Sequence, residues 1–396
     1  MPGVQEAFEA EAAGASRGEQ VRVLHLAEGA SLAGIETHIC ALLKEMKRSP
    51  RVGEILFACF YDGPLKKRLE QIGVRCLCLR RTCKLDPAVI RRLRSVVRSH
   101  RVEILHMHGY LAAIHGQIAA LTLPQSVLTL TTAHQRAERH PSWKMNLYVR
   151  IMFRLSRLAG THSVVVSENV RQSILDKYRM GAERITTIHN GVDIGCENVA
   201  RKTREELGLD PGKKAIGIIG RLVEAKRHDL FVRVAQEICR ERSDVEFVIL
   251  GDGPLRTAIE RKIAEAGMGG HVKLMGHRPN VLEYLQRLDL MVICSDHEGI
   301  PYVLLEALLL RKPIVSTRAG GIPEVIRSGF NGVLVGVGDA EAMKREILAL
   351  LRDPDRAHAL AENGHRTVIE RFSAQAMAEK TLDLYERLKA AKKGPS

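Results

Sequence analysis

Short apolar runs recur along this chain, each followed by a stretch of helical spacing, and the series runs twice. The first series comprises "VRVLHLAEG" (21–29), "GEILFACF", "VRCLCL", "VEILHMHG", "SVLTLTTAH" and "HSVVVSE". The second comprises "AIGIIGR", "VEFVILGDGP", "VKLMGHRP", "LMVICSDHEG", "PIVSTRAGG" and "GVLVGVGD". Between the first two runs, "AGIETHICALLKEMKRSP" spaces Ile35, Ile39, Leu42, Leu43 and Met46 as one helix face and stops at a proline. Asp86-Pro87 reads as an N-cap followed by proline at the first helical position, opening "AVIRRLRSVVRSH". Strands alternating with helices predict parallel, doubly wound sheets, which bind ligands at the carboxyl ends of their strands.

A chain of 396 residues exceeds one ordinary core, so the doubled series is expected to form two Rossmann-like α/β domains. Their expected spans are 21–190 and 213–372, with a turn- and charge-rich linker over 191–212. Residues 1–20 are rich in Ala, Gly and Glu and lack an apolar h-region, so they read as a tail and not a signal peptide. Residues 373–396 hold an amphipathic helix, "AQAMAEKTLDLYERLKAAKK", with no strand after it. No finer repeat is present.

Composition narrows the class. Hydrophobic residues make up 45% of the chain. No apolar run reaches the roughly 20 residues that a membrane-spanning helix needs. Eight scattered cysteines without a secretion signal read as thiols in a reducing cytosol. Cys76, Cys78 and Cys83 sit in a small buried-strand pattern without a second ligand pair for zinc. The net charge of +14 is uneven: residues 1–195 hold 28 Lys and Arg against 17 Asp and Glu. That basic half suits anionic headgroups, nucleic acid or phosphorylated substrates. Aromatics at 4% and no stacking motif argue against nucleic acid.

The stretch "SDHEGIPYVLLEALLLRKPIVSTRAGGIPEVI" (295–326) carries the most chemistry. Gly299 permits a tight turn, and Pro301 suits the first turn of a helix whose free N–H groups and dipole would hold a phosphate. Glu298 and Glu306 would be repelled by that anion, so they should face hydroxyls, because a carboxylate grips a vicinal diol well. A nucleotide sugar satisfies all of this: diphosphate at the helix end, sugar on Glu298, ribose on Glu306. Two carboxylates could instead chelate Mg²⁺. "GRLVEAKRHDL" supplies another neutraliser in Arg221 and Lys226, and the only Asp-x-Asp is "DPD" at 353–355. Metal independence is therefore expected, with no cofactor beyond the substrates.

Taken together, "GRLVEAK", "VILGDGPL", "LMGHRPNVLEYL", "SDHEGIPYVLLEA" and "STRAGGIPEVI", in this order over 220–326, resemble the retaining glycosyltransferases of family four, with the GT-B fold. Weaker echoes run from 21 to 193. The resemblance implies two Rossmann-like domains facing a central cleft, with the C-terminal helix packing back on the N-terminal domain. It implies Arg221 and Lys226 on the donor diphosphate, and Glu298 on the transferred sugar. Gly299, Ile300, Pro301 and Tyr302 would meet sugar hydroxyls and phosphate, Leu305 would lie beside the nucleotide, and Glu306 would hold the ribose. Gly276 and Arg278 would line the base pocket, Gly34 in "SLAGIETH" would approach the phosphates, and His134 would face the reacting sugar. His108 is an acceptor-side candidate and His106 a structural one. Three positions depart from the family: Ala33 where the loop is usually Gly-Gly, Arg227 where glycine follows the lysine, and Gln135 where glycine follows the histidine.

The implied reaction moves a sugar, with retention, from a nucleoside diphosphate to a hydroxyl of a saccharide or lipid-linked acceptor. A UDP-sugar is the first expectation and GDP-mannose the second; the setting would be cell-surface polysaccharide or glycolipid synthesis in the cytoplasm. "HPSWKMNLYVRIMFRLSRLAG" (140–160) mixes Trp143, Leu147, Ile151, Met152 and Leu155 with Lys144, Arg150, Arg154 and Arg157. With "VIRRLRSVVRSHR" it makes peripheral contact with an anionic membrane a hypothesis, although a helix packed on its own sheet explains the pattern too. A nucleotide-sugar epimerase of the same architecture, a basic nucleic-acid-binding protein and a non-catalytic donor-binding module are the competing readings.

Overall fold

A computed structural model describes residues 20–29, 34–134, 143–178, 180–199 and 201–393. The expected tail, apart from Gln20, the loop before Gly34, and Gln135 lie outside them.

The first sheet has seven strands: β1 Val21–Ala27, β2 Val52–Cys59, β3 Arg75–Cys78, β4 Ile104–His108, β5 Leu128–Ala133, β6 His162–Val165 and β7 Ile185–Thr187, in the order β3-β2-β1-β4-β5-β6-β7. The second has six: β8 Lys214–Ile219, β9 Val245–Leu250, β10 Val272–Gly276, β11 Leu290–Ile293, β12 Ile314–Thr317 and β13 Val333–Val335, in the order β10-β9-β8-β11-β12-β13. Every pairing in the second sheet is parallel. Each order reverses beside the first strand of its series, the doubly wound arrangement that the alternation predicts.

In chain order the helices are α1 Gly34–Arg48, α2 Pro64–Gln71, α3 Pro87–Ser99, α4 Tyr110–Ala120, α5 Trp143–Leu158, α6 Glu168–Tyr178 and α7 His228–Cys239. After them come α8 Arg256–Glu265, α9 Val281–Arg287, α10 Tyr302–Leu309, α11 Ile322–Val325, α12 Ala340–Arg352, α13 Pro354–Arg371 and α14 Ala374–Lys393. Asp86 caps α3 as its sequence foretells, accepting from the amides of Ala88 at 2.8 Å and Val89 at 3.4 Å.

The chain divides into two compact units: Met1–Thr132, Ser142–His162 and Ala378–Ser396 form one, and Ala133–Pro141 with Ser163–Met377 form the other. In the second unit, β9 is buried along its whole length. Phe247 and Ile249 join one core with Phe231 and Met343, while Val248 and Leu250 join another with Leu304 and Phe372. Alternate residues thus serve opposite faces of a sheet covered on both sides. In the first unit, α14 is tied down by Arg51, which pairs with Asp383 at 2.8 Å and Glu386 at 2.7 Å, and by wholly buried Tyr385.

Two strand readings need correction. "VRCLCL" is not a buried strand: Arg75 is exposed and the rest of β3 half-buried, because it is the sheet's edge. β7, in "RITTIHN", is absent from the apolar runs read in the sequence; its three residues are too short for an alternation signal.

Candidate functional site

The predicted donor residues belong to the second unit, and most follow the carboxyl ends of its strands. β8 leads into a loop that begins at Gly220, whose carbonyl would lie 1.8 Å from a Cβ on Gly251. Only glycine at 251 lets the loops after β8 and β9 come this close. Arg221 follows, exposed and without an ion-pair partner among the described residues. Lys226 is half-buried and donates a hydrogen bond to Glu298 Oε1.

Arg227 explains its own departure from the family pattern. Its φ is +50°, the left-handed conformation that glycine adopts at least cost. Its guanidinium offsets the strain by bonding Asp229 at 3.1 Å and Asp296 at 3.1 Å. His228 then opens α7 from a buried position, with no hydrogen-bond partner for either ring nitrogen among the described residues. Burial and the nearby Lys226 charge lower its pKa to about 4, so it is a neutral imidazole.

The loop after β11 meets this loop directly, since the Asp296 amide donates to the Ala225 carbonyl at 2.9 Å. These two loops flank the switch point between β8 and β11, where doubly wound sheets open a crevice. Ser295 Oγ donates to Glu298 Oε1 at 2.7 Å, and Thr317 Oγ1 fixes the Ser295 carbonyl at 2.6 Å. A Cβ on Gly299 would lie 2.6 Å from the His134 carbonyl, so this glycine brings His134 and the Glu298 loop together. The side chain of Asn190 holds the Ile300 carbonyl at 2.7 Å.

Pro301 is the N-cap of α10 and not a residue of its first turn; the helix proper begins at Tyr302. Pro301 supplies no side-chain cap, so an anion can serve the first-turn amides. Glu306 is half-buried, one turn along from Tyr302. Leu305 is 0% exposed and packs in the core beside Leu304 and Leu308. Gly276 ends β10 with φ +69°, followed by exposed Arg278.

Three site residues went unassigned from sequence: Ser295, Asn190 and Glu324. Ser295 could have been found, three residues before Glu298 at a strand end. Glu324 accepts from the amides of Glu168 at 2.9 Å and Asn169 at 3.0 Å, the first turn of α6, and from His189 Nε2 at 2.8 Å. Burial pushes its pKa up, but His189 and the two amides outweigh that and hold it below the usual range. Its partners lie more than a hundred residues away in sequence, so local pattern gives no hint of them.

In the first unit, Gly34 starts α1 with open space where a side chain would be. His108 ends β4 but is only 2% exposed. It belongs to a buried group with His25 and His106. His25 Nδ1 and His108 Nε2 are 3.0 Å apart, while His106 meets the Tyr385 hydroxyl at 2.6 Å and the Thr132 hydroxyl at 2.7 Å. Burial, then the His38 charge, lowers the His25 pKa to about 3. One nitrogen from each of these three rings lies within 4.8 Å of the others, close enough to share an ion. An ion would have to displace hydrogen bonds already made, at His106 on both nitrogens.

The second unit thus brings a cation, Lys226, and a carboxylate, Glu298, together at its switch point, with an uncapped helix start three residues further along the chain, the equipment for an anion carrying hydroxyls. The comparisons agree with it. A family model described as Glycosyltransferase Family 4 matches residues 18–195, and one described as Glycosyl transferases group 1 matches 199–367. N-acetyl-alpha-D-glucosaminyl L-malate synthase of Bacillus anthracis is 27% identical over 312 residues, covering 76% of this chain and 78% of that protein. The lipopolysaccharide core biosynthesis glycosyltransferase LpsE of Rhizobium meliloti is 32% identical over 191 residues, 48% of this chain and 55% of that protein. HepE of Anabaena, solved in complex with UDP, shares the fold with a TM-score of 0.79 at 20% identity, covering 93% of this chain and 100% of that one. Matched along both halves, the chain belongs to the group 1 GT-B glycosyltransferases and is an enzyme of glycosyl transfer.

Proposed function

We propose that the enzyme transfers a hexose from a UDP-sugar to a hydroxyl of a saccharide or lipid-linked acceptor, with retention and without a metal ion. The observation that carries this is the meeting of Lys226 and Glu298 at the switch point, beside the start of α10. Arg221, Lys226 and the α10 amides bind the diphosphate and stabilise the charge that builds on it as it leaves. Glu298 takes the sugar hydroxyls, Glu306 the ribose, and Gly276 and Arg278 the base. Gly34 approaches the phosphates. His134 orients the reacting sugar, and His108 serves the acceptor side.

The reaction we propose uses no covalent nucleophile of the protein. The bond from the anomeric carbon to the phosphate oxygen breaks, and the acceptor oxygen bonds that carbon from the same face. The acceptor proton passes to an oxygen of the departing diphosphate. HepE was solved with UDP and also with UDP-glucose, which supports a uridine donor here.

A lipid-linked acceptor fits a peripheral position on the cytoplasmic face of a membrane. Among the described residues no helix is long and apolar enough to cross one. α5 exposes Leu147, Ile151 and Leu158 between Arg150, Arg154 and Arg157, whereas Met152 faces the core. This side supports contact with anionic lipid.

A thermal-shift series with UDP, GDP and ADP, without and with EDTA, tests the donor assignment. UDP should raise the melting temperature most, with no dependence on EDTA. A chain that responds to none of the three overturns the reading. Sugar turnover without acceptor would point to an epimerase.

A further inference from the structure

The amino ends of β1, β4 and β5, in the first unit, frame a cavity of about 480 Å³. Five cations line it, Arg22, Arg98, Arg101, Lys389 and Lys392, against one carboxylate, Glu103. Glu103 is already occupied: Oε1 accepts from Lys389 at 2.8 Å and Oε2 from the Arg22 amide at 2.9 Å. The Arg22 Nε donates to the Arg101 carbonyl at 2.9 Å and Lys392 to the Val127 carbonyl at 3.1 Å. Carbonyls orient these cations without neutralising them, and further N–H groups remain on each. Arg98 and Arg101 are exposed and have no carboxylate partner among the described residues.

Arg101 adds a second observation. The Val102 amide bonds the Val97 carbonyl at 2.9 Å, the six-residue closure that ends α3. Arg101 therefore holds the position where glycine is usual, at φ +47°. A long cation is kept where the backbone favours no side chain. The carbonyl end of α3 opposes an anion, but its dipole amounts to about half an elementary charge, well short of the surplus of cations.

We infer that this cavity is a second ligand site, which takes a phosphate group carried by an organic molecule. Val97, Val102 and Pro124 give it apolar walls that a bare inorganic ion would not use. Within the first unit the cavity is distinct from the acceptor-side candidate: the four residues Ile104–Met107 separate Glu103 from His108, about 16 Å of strand. The phosphate could belong to a free metabolite or to a lipid headgroup, and two binding arms separate these sources.

In one arm, calorimetry with glycerol 1-phosphate at low salt compares the full chain with Arg98→Ala/Lys392→Ala and with Arg98→Glu. In the other, the same proteins are sedimented with phosphatidylglycerol vesicles and with phosphatidylcholine vesicles. Arg98 and Lys392 are both exposed, so melting temperatures should match. Binding in the first arm that weakens at least tenfold in both variants establishes a site for a free phosphate compound. The same loss confined to phosphatidylglycerol vesicles establishes a headgroup site. Lys226→Ala should bind like the parent in either arm. The inference is overturned by no binding in both arms, by variants that bind undiminished, or by binding that disappears with Lys226→Ala.

Discussion

Lys226 donates a hydrogen bond to Glu298 Oε1, the same oxygen that accepts from Ser295 at 2.7 Å. The cation proposed for the diphosphate and the acid proposed for the sugar are thus held within reach of each other, on loops from neighbouring strands. A donor that brings its own negative charge competes for the ammonium, while the serine keeps the carboxylate in place.

Replacing Lys226 by Ala should therefore cost about 10²-fold in kcat, with a smaller change in KM, because the charge it meets grows as the bond breaks. Steady-state kinetics with varied UDP-sugar reads this split. An unchanged kcat would remove Lys226 from the transition state.

Glu306 is assigned to a ribose, a part of the donor that does not react. Glu306→Ala should weaken UDP binding by about tenfold or more, since hydrogen bonds to a charged group contribute about 1.5–3 kcal/mol. Calorimetry with UDP alone is sufficient. An affinity equal to that of the parent refutes the ribose contact.

Two buried imidazoles set an acid limit on stability. The folded-state pKa is about 3 for His25 and about 4 for His228, both below the usual 6.5. The unfolded chain takes up these protons below pH 6.5 and the folded chain does not. Stability is complete above that pH and falls as pH drops toward 4 and then 3. At pH 5 each should cost about 2 kcal/mol. Urea unfolding at pH 7.5 and 5 should show the loss, and His228→Leu should reduce it by its share. An unaltered pH difference in that variant would contradict the burial argument.

Gly320 has φ +53°, and a Cβ there would sit 1.9 Å from the Glu298 carbonyl. Gly320→Ala should destabilise the fold by about 3 kcal/mol and displace the Glu298 loop. Denaturation should record the first effect, and loss of UDP-dependent thermal shift the second.

Much of this was readable in the chain. The apolar runs located nearly every strand, and Asp86-Pro87 marked a helix start, because burial and capping act on neighbours in sequence. The Glu298 loop was legible too, since Gly299 and Pro301 advertise a turn before a helix. What escaped depended on partners far along the chain. Nothing local in "IPEV" says that Glu324 will serve the amides of Glu168 and Asn169. Arg227 reads as a departure until its backbone is seen, when two carboxylates account for it.

The docking of α14 has a consequence for how this protein is made. Residues 378–396 belong to the unit that also contains the first strand, and Tyr385 supplies a hydroxyl that His106 bonds deep inside it. During synthesis that unit emerges first, yet it lacks this covering until the ribosome has added the residues that follow the entire second unit. A premature stop after Met377 would therefore injure the earliest-made part of the enzyme and leave the most recently made part closed.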